Sequence, residues 1–374
     1  MRGIYIHIPF CRQACRYCDF FFSVSLKYVD EYVESLVKEI EIRAGEKAGS
    51  EVETLYLGGG TPSVLSDFHL EKILDAVHKH SSFREEAEWT IECNPDDLSP
   101  AYLEQLRNKG FNRISIGIQS FFERDLELMK RSHTSIQARR SVEDAAEAGF
   151  ENITMDLIYG VPGQLPGEWE ENIKKALALP VSHISAYHLT FEPGTVFDHW
   201  RKKGRLLPVI EEESVKQFHV LRKLLLERGF DHYEISNFAL NGKMSGHNML
   251  YWSGKSYLGL GPSAHSYDGT NRSWNVSSLK KYMEGVLAGG GFSEAEKLST
   301  QEAYHDYLIT SLRTRWGADP EFIGQQFGGD IFQHFEKKIL PFLEQGKLWN
   351  TRDHVAIHPD HWLLTDHILR ELFI

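Results

Sequence analysis

Three of the four cysteines in this chain, Cys11, Cys15 and Cys18, fall within eight positions of the stretch YIHIPFCRQACRYCDFFF, spaced C-x3-C-x2-C. The fourth, Cys93, lies far away. Free cysteines are often small buried hydrophobes, but three thiols together in a loop after a strand-like run point to metal or redox chemistry. A structural zinc ion takes four ligands and usually draws them from paired C-x2-C arms; no second pair is present. Iron–sulfur clusters are held by thiolates, and a four-iron cluster has four corners. Three cysteines then leave one iron without a protein ligand, open to a small molecule. A second candidate is LYLGGGTPS at 55–63. Glycines let backbone amides approach a ligand closely, and a helix N-terminus downstream favours an anionic group.

These residues need a frame. Strand-like runs at Ile4–Ile8, Thr54–Leu57, Trp89–Cys93, Arg113–Ile118, Ile153–Ile158 and His183–Leu189 alternate with helical patterns at Tyr28–Ala44, Phe68–His80, Ser99–Asn108, Ile136–Ala148 and Glu168–Ala178. Ser99-Pro100 ahead of AYLEQL is a helix start signal. Helices of this length fit crossovers between parallel strands. Polar residues recur at strand ends, at Glu92, Gln119, Asp156 and Thr190, as at the mouth of a barrel. The expected fold is α/β, an incomplete parallel (β/α)6-type barrel with a smaller, mostly helical, winged-helix-like C-terminal domain. Residues 1–230 form the barrel, 231–298 an irregular extension, and 299–374 helices followed by a two-strand wing. Cys93 alternates with Glu92, so an inward Glu92 puts Cys93 under the helices.

The chain has 374 residues, enough to bury a sizeable core, with 41% apolar and 25% charged residues. Its net charge of −12, from 41 Lys+Arg against 53 Asp+Glu, argues against a general nucleic-acid binder. Residues 300–374 carry seven Lys+Arg and eleven Asp+Glu, a net −4, which argues against a DNA-reading wing. No apolar run approaches the ~20 residues of a membrane span. The N-terminus lacks the features of a secretory signal, so a cytoplasmic location is expected, where clustered cysteines bind metal or do chemistry.

The C-x3-C-x2-C spacing resembles the radical S-adenosylmethionine (SAM) proteins. Together with GGGTPS, IGIQSF, MDLIYGVPGQ and YLGLGPSAHS, the chain resembles the oxygen-independent coproporphyrinogen III oxidase-like family over nearly its whole length. That resemblance implies a 4Fe-4S cluster on Cys11, Cys15 and Cys18, with SAM chelating the open iron and cleaved after electron transfer to a 5′-deoxyadenosyl radical. It also implies SAM contacts at Tyr5, Tyr17, Gly59, Gly60, Thr61, Glu92, Gln119, Arg131, Asp156, Thr190 and His265. The chemistry suits several of these: carboxylates accept ribose hydroxyls, and an arginine pairs with the SAM carboxylate.

Two features set the chain apart from the oxidase branch. Cys18-Asp19-Phe20 lacks the Cys-x-Cys arrangement of that branch, and only ten residues precede Cys11. HNMLYW at 247–252 instead resembles the H-N-x-x-Y-W motif of the haem chaperone branch. By that resemblance His247, Asn248, Tyr251 and Trp252 contact haem, which is handed to acceptors such as respiratory enzymes. His247 has suitable chemistry, since a neutral imidazole is a common haem ligand; His265 and His188 are alternatives. The expected function is haem chaperoning, as a monomer or homodimer, cytoplasmic or peripheral at the inner face of the membrane. The alternative is coproporphyrinogen oxidation; a nucleic-acid role through the acidic tail is the weakest reading.

Overall fold

The computed structural model describes residues 2–44 and 51–374. Six parallel strands lie side by side in chain order: β1 (Gly3–Ile8), β2 (Val52–Gly59), β3 (Phe83–Cys93), β4 (Arg113–Gln119), β5 (Asn152–Tyr159) and β6 (His183–His188). The helices Val29–Ile42, Asp67–His80, Pro100–Asn108, Ser135–Glu147 and Glu168–Leu177 make the crossovers. Their starts are chemically specified. Ser66 and Thr134 form capping boxes with His69 and Gln137, and Ser99 accepts from the Tyr102 amide in front of Pro100.

Alternation along the strands sorts the side chains into two faces. Ile4, Ile6, Leu55, Ile91, Ile114 and Met155 are fully or almost fully buried in the apolar core with the helices. The other face is polar, with Thr90, Arg113, Thr154, His183 and Ser185 lining a chamber of about 50 Å³, room for a few waters. Arg113, 1% exposed, is held there by Asn152 Oδ1 at 2.7 Å and Thr154 Oγ1 at 2.6 Å. This barrel therefore carries hydrogen-bonding groups in its interior rather than packed aliphatic layers.

The stretch expected to be irregular from 231 is instead built into the same sheet. β7 (Phe230–Glu234) and β8 (Asn237–Leu240) add antiparallel strands beside β6. At the other edge β9 (Tyr257–Leu260) runs parallel to β1, followed by β10 (His265–Tyr267), β11 (Asn271–Asn275) and β12 (Ser293–Lys297), all antiparallel. The twelve strands order as β12-β11-β10-β9-β1-β2-β3-β4-β5-β6-β8-β7. These added strands span three to five residues each, too short to display alternation in sequence. Glu39, fully buried, fastens this edge by accepting from Gly261 N (2.8 Å), Asn275 Nδ2 (2.7 Å) and Tyr282 OH (2.6 Å).

The C-terminal part has the helices Thr300–Leu312, Pro320–Phe327 and Gly329–Glu344, then the expected wing, β13 (Leu348–Thr351) paired with β14 (His354–Ile357). The chain does not stop at the wing: a further helix, Thr365–Leu372, packs back on Gly329–Glu344. Trp362 joins this part to the barrel, its ring centroid 4.1 Å from that of His232 of β7. Among the described residues no helix is long and apolar enough to cross a membrane.

Candidate functional site

The loop after β1 and the C-terminal ends of the next five strands enclose a cavity of about 450 Å³. That size suits a small-molecule site. Cys11, Cys15 and Cys18 line it together with Tyr17, Gly59, Gly60, Thr61, Glu92, Gln119, Arg131, Asp156 and Thr190. Twelve positions singled out in the sequence thus converge on one space, drawn from the loop after β1, from the ends of β2 to β6 and the turns just beyond them, and, for Arg131, from the segment between the helices Glu123–Met129 and Ser135–Glu147.

Each is placed by its local structure. At Gly59 (φ +108°) a Cβ would lie 2.5 Å from His7 Nδ1, and at Gly60 it would lie 2.7 Å from the Phe10 carbonyl oxygen. The cysteine loop therefore packs directly against the glycine turn, and Thr61 Oγ1 reaches Cys11 Sγ at 3.4 Å. Gln119 adopts a left-handed φ of +65° where the β4–β5 register shifts, an irregularity of the kind that re-aims side chains at sites. Arg131 extends Nη1 to Cys15 Sγ (3.4 Å) and Tyr17 OH (3.3 Å), and Nη2 to Gly117 O (2.8 Å) and Asn94 Oδ1. Its Nε is buried and has no partner among the described residues.

Burial dominates the electrostatics. It raises the Glu92 carboxyl to about 7, opposed by hydrogen bonds from Tyr56 OH (2.7 Å) and Gly59 N (3.1 Å) and assisted by nearby Asp156. Burial likewise lifts Asp156 to about 6, opposed by bonds from Ser185 and Ser115. Burial opposes the charge of Arg131, but Tyr17 and Cys15 beside it outweigh that and leave its pKa raised. The thiols of Cys11 and Cys18 are pushed up by burial, Cys18 to about 12, so metal loading at these two releases protons.

Several expected contacts lie elsewhere. Tyr5 is inside the barrel but is not among the lining residues; its hydroxyl meets His7 Nδ1 at 3.1 Å. His265 is exposed on β10, paired across the strands with Trp274. HNMLYW forms the helix Gly246–Trp252, near the start of β1 and β2 rather than at the cavity. His247 there is 1% exposed with both ring nitrogens engaged, by Thr54 Oγ1 (2.7 Å) and Tyr251 OH (2.8 Å), so as folded it presents no ligating nitrogen. Asn248 faces the 50 Å³ chamber. Cys93 is 5% exposed in the apolar core. Sequence reasoning missed Tyr56, Asn94 and Ser115, which brace Glu92, Arg131 and Asp156; strand alternation could have found Tyr56 and Ser115.

Among the described residues no three His, Cys, Asp or Glu side chains could share a single metal ion. Three thiols spread round a cavity with an unpartnered buried guanidinium nitrogen, a glycine cradle and two inward carboxyls fit a cluster with an amino-acid-bearing nucleoside ligand instead. Such a fold and site define a radical SAM protein. Residues 5–176 match the Radical SAM superfamily, and 298–364 match the HemN C-terminal domain. The Heme chaperone HemW of Bacillus subtilis is 36% identical over 96% of this chain and 95% of its own length. That of Lactococcus lactis is 33% identical over 99% and 97%. A structure of coproporphyrinogen III oxidase (HemN) from Escherichia coli superposes with a TM-score of 0.86 at 25% identity, covering 99% of this chain and 89% of that one. With such identity along both chains, the protein belongs to the HemW family of radical SAM proteins. A 4Fe-4S cluster and SAM are the cofactors of that superfamily.

Proposed function

We propose that this protein is a haem chaperone that carries a SAM-ligated 4Fe-4S cluster and passes haem to acceptor proteins, respiratory enzymes among them. The observation that carries the reading is the near full-length similarity to proteins named Heme chaperone HemW. Cys18-Asp19-Phe20, without a further cysteine, agrees with it.

In this reading Cys11, Cys15 and Cys18 hold the cluster. Bound there, the cluster supplies an electron to SAM. The chain's own residues orient the ligand: Arg131 meets its carboxylate, Gly59, Gly60 and Thr61 its amino end, and Glu92 and Asp156 its hydroxyls. Gln119, Tyr17 and Thr190 complete the walls. Haem is cargo rather than a resident group. His247 can ligate it only if Thr54 and Tyr251 release the ring; His188, at the cavity wall with one nitrogen on Ser214 Oγ, is less confined. Delivery takes place from the cytoplasm at the inner membrane face, by a monomer or a homodimer.

The test is titration of anaerobically reconstituted protein with haem, followed at the Soret band. Saturation near one haem per chain supports the reading, and no saturable binding overturns it. The TM-score of 0.86 to HemN favours the oxidase as second reading. SAM-dependent loss of two propionate carboxyls from coproporphyrinogen III by protein with a reduced cluster would establish it.

A further inference from the structure

We propose that the Gly246–Trp252 helix plugs the lower mouth of the barrel, and that its His247 is a positioning residue for the cavity above, holding Tyr56 against Glu92. This goes beyond haem chaperoning, and it rests on the assignment of Glu92 to SAM.

The plug is built into the barrel from several sides. Its first two amides, Gly246 N and His247 N, donate to the Glu88 carboxylate of β3 at 3.0 and 3.1 Å, while Ser245 Oγ accepts from Asn248 N. Glu88 thus sits where the helix dipole favours an anion. β1 starts against the histidine, since a Cβ at Gly3 would lie 3.3 Å from His247 Cε1. Thr54 of β2 and Tyr251 of the helix occupy the two ring nitrogens. Ligation through either nitrogen would leave a buried hydroxyl without its partner, which is costly. Burial also lowers the imidazole to about 3, so the ring is neutral and acts by shape and hydrogen bonding.

The ring then bears on the site through Tyr56. The His247 and Tyr56 ring centroids lie 5.1 Å apart at 31°, and Tyr5 completes a triangle with them, 6.0 Å from Tyr56 and 6.2 Å from His247. Packed against both rings, Tyr56 directs its hydroxyl to Glu92 Oε1 at 2.7 Å. That donor favours the ionised carboxylate, the form that accepts ribose hydroxyls. Groups facing Glu92 from elsewhere are Tyr5 on β1, Asp156 on β5, Tyr187 on β6, Tyr251 on the plug and Cys11 in the loop; all disfavour two charges in one place. Arg113 on β4, in the chamber below, and Arg131 at the cavity wall are the nearby cations. Among the described residues Tyr56 is the side-chain donor to this carboxylate.

The experiment measures SAM affinity calorimetrically from pH 6 to 8.5, on cluster-reconstituted wild type, Tyr56→Phe, His247→Ala and His247→Gln, with a haem titration of each. In the wild type, affinity rises with pH through about 7 as Glu92 ionises. Tyr56→Phe weakens SAM about tenfold at neutral pH and moves that midpoint upward. His247→Ala moves it the same way, and His247→Gln, whose amide reaches Tyr251, recovers part of the loss. Haem stoichiometry is unchanged in Tyr56→Phe. An unchanged SAM affinity and midpoint in Tyr56→Phe overturns the proposal even if His247→Ala fails to fold. Loss of haem with intact SAM binding in His247→Ala overturns it too. A wild type that binds no haem but shows the SAM profile rejects chaperoning alone.

Discussion

Arg131→Met removes a buried charge while keeping length and apolar stem. In the wild type its guanidinium already uses Nη1 on Cys15 and Tyr17 and Nη2 on Gly117 and Asn94, and among the described residues Nε has no partner. A carboxylate arriving at this side gains a charge-assisted contact worth about 1.5–3 kcal/mol. Losing it weakens SAM by roughly 10–150-fold in Kd. The cluster should survive, because Arg131 touches Cys15 only through a hydrogen bond at 3.4 Å and supplies no ligand. Reconstituted Arg131→Met should then keep about four irons per chain. Calorimetry of SAM binding, beside iron and sulfide analysis, reads both quantities on the same sample. Arg131→Lys keeps the charge without the fork and should fall between the two. If Arg131→Met binds SAM within about twofold of wild type, the carboxylate sits elsewhere and the assignment of this residue fails. If iron is lost instead, Arg131 serves the cysteine loop and not the ligand.

Cys15→Ala should abolish the four-iron cluster after anaerobic reconstitution, and tight zinc without sulfide in the wild type would refute the cluster itself. Gly60→Ala drives a Cβ to 2.7 and 2.8 Å from the Phe10 and Ile8 carbonyl oxygens, so the cysteine loop must shift; iron content and SAM affinity should fall together while secondary structure by circular dichroism stays unchanged. Glu39→Ala strips the acceptor from Tyr282, Asn275 and the Gly261 amide, and should cost about 3–5 kcal/mol in denaturant unfolding, as breaking other buried charged networks does. An effect of Glu39→Ala below about 1 kcal/mol would mean that this edge of the sheet is held by packing alone.

The chain's own pattern was enough for the cysteine loop, the six β/α units and the inward polar residues at the strand ends. Those features depend on short-range rules: three thiols in eight positions, period-two strands, capped helices between them. Glu92, Gln119 and Asp156 were legible as members of one site because parallel strands with intervening helices must bring their C-terminal ends together, whereas Arg131, between two helices, was reached only through the family resemblance. What the sequence could not carry was the fate of the short pieces after residue 230. β8, β10 and β11 have too few residues to show a period, and they become strands because an existing sheet edge offers them unpaired backbone groups. The same holds for HNMLYW. Its residue types suit a metal ligand and a stacking platform, but only the tertiary structure decides that Thr54 and Tyr251 take both nitrogens of His247 and that Tyr56 lies against its ring. Those partners sit 193 and 4 positions from His247. Local spacing could reveal Tyr251 one helical turn away, but Thr54 arrives through the packing of the Gly246–Trp252 helix on β2, which no local pattern encodes.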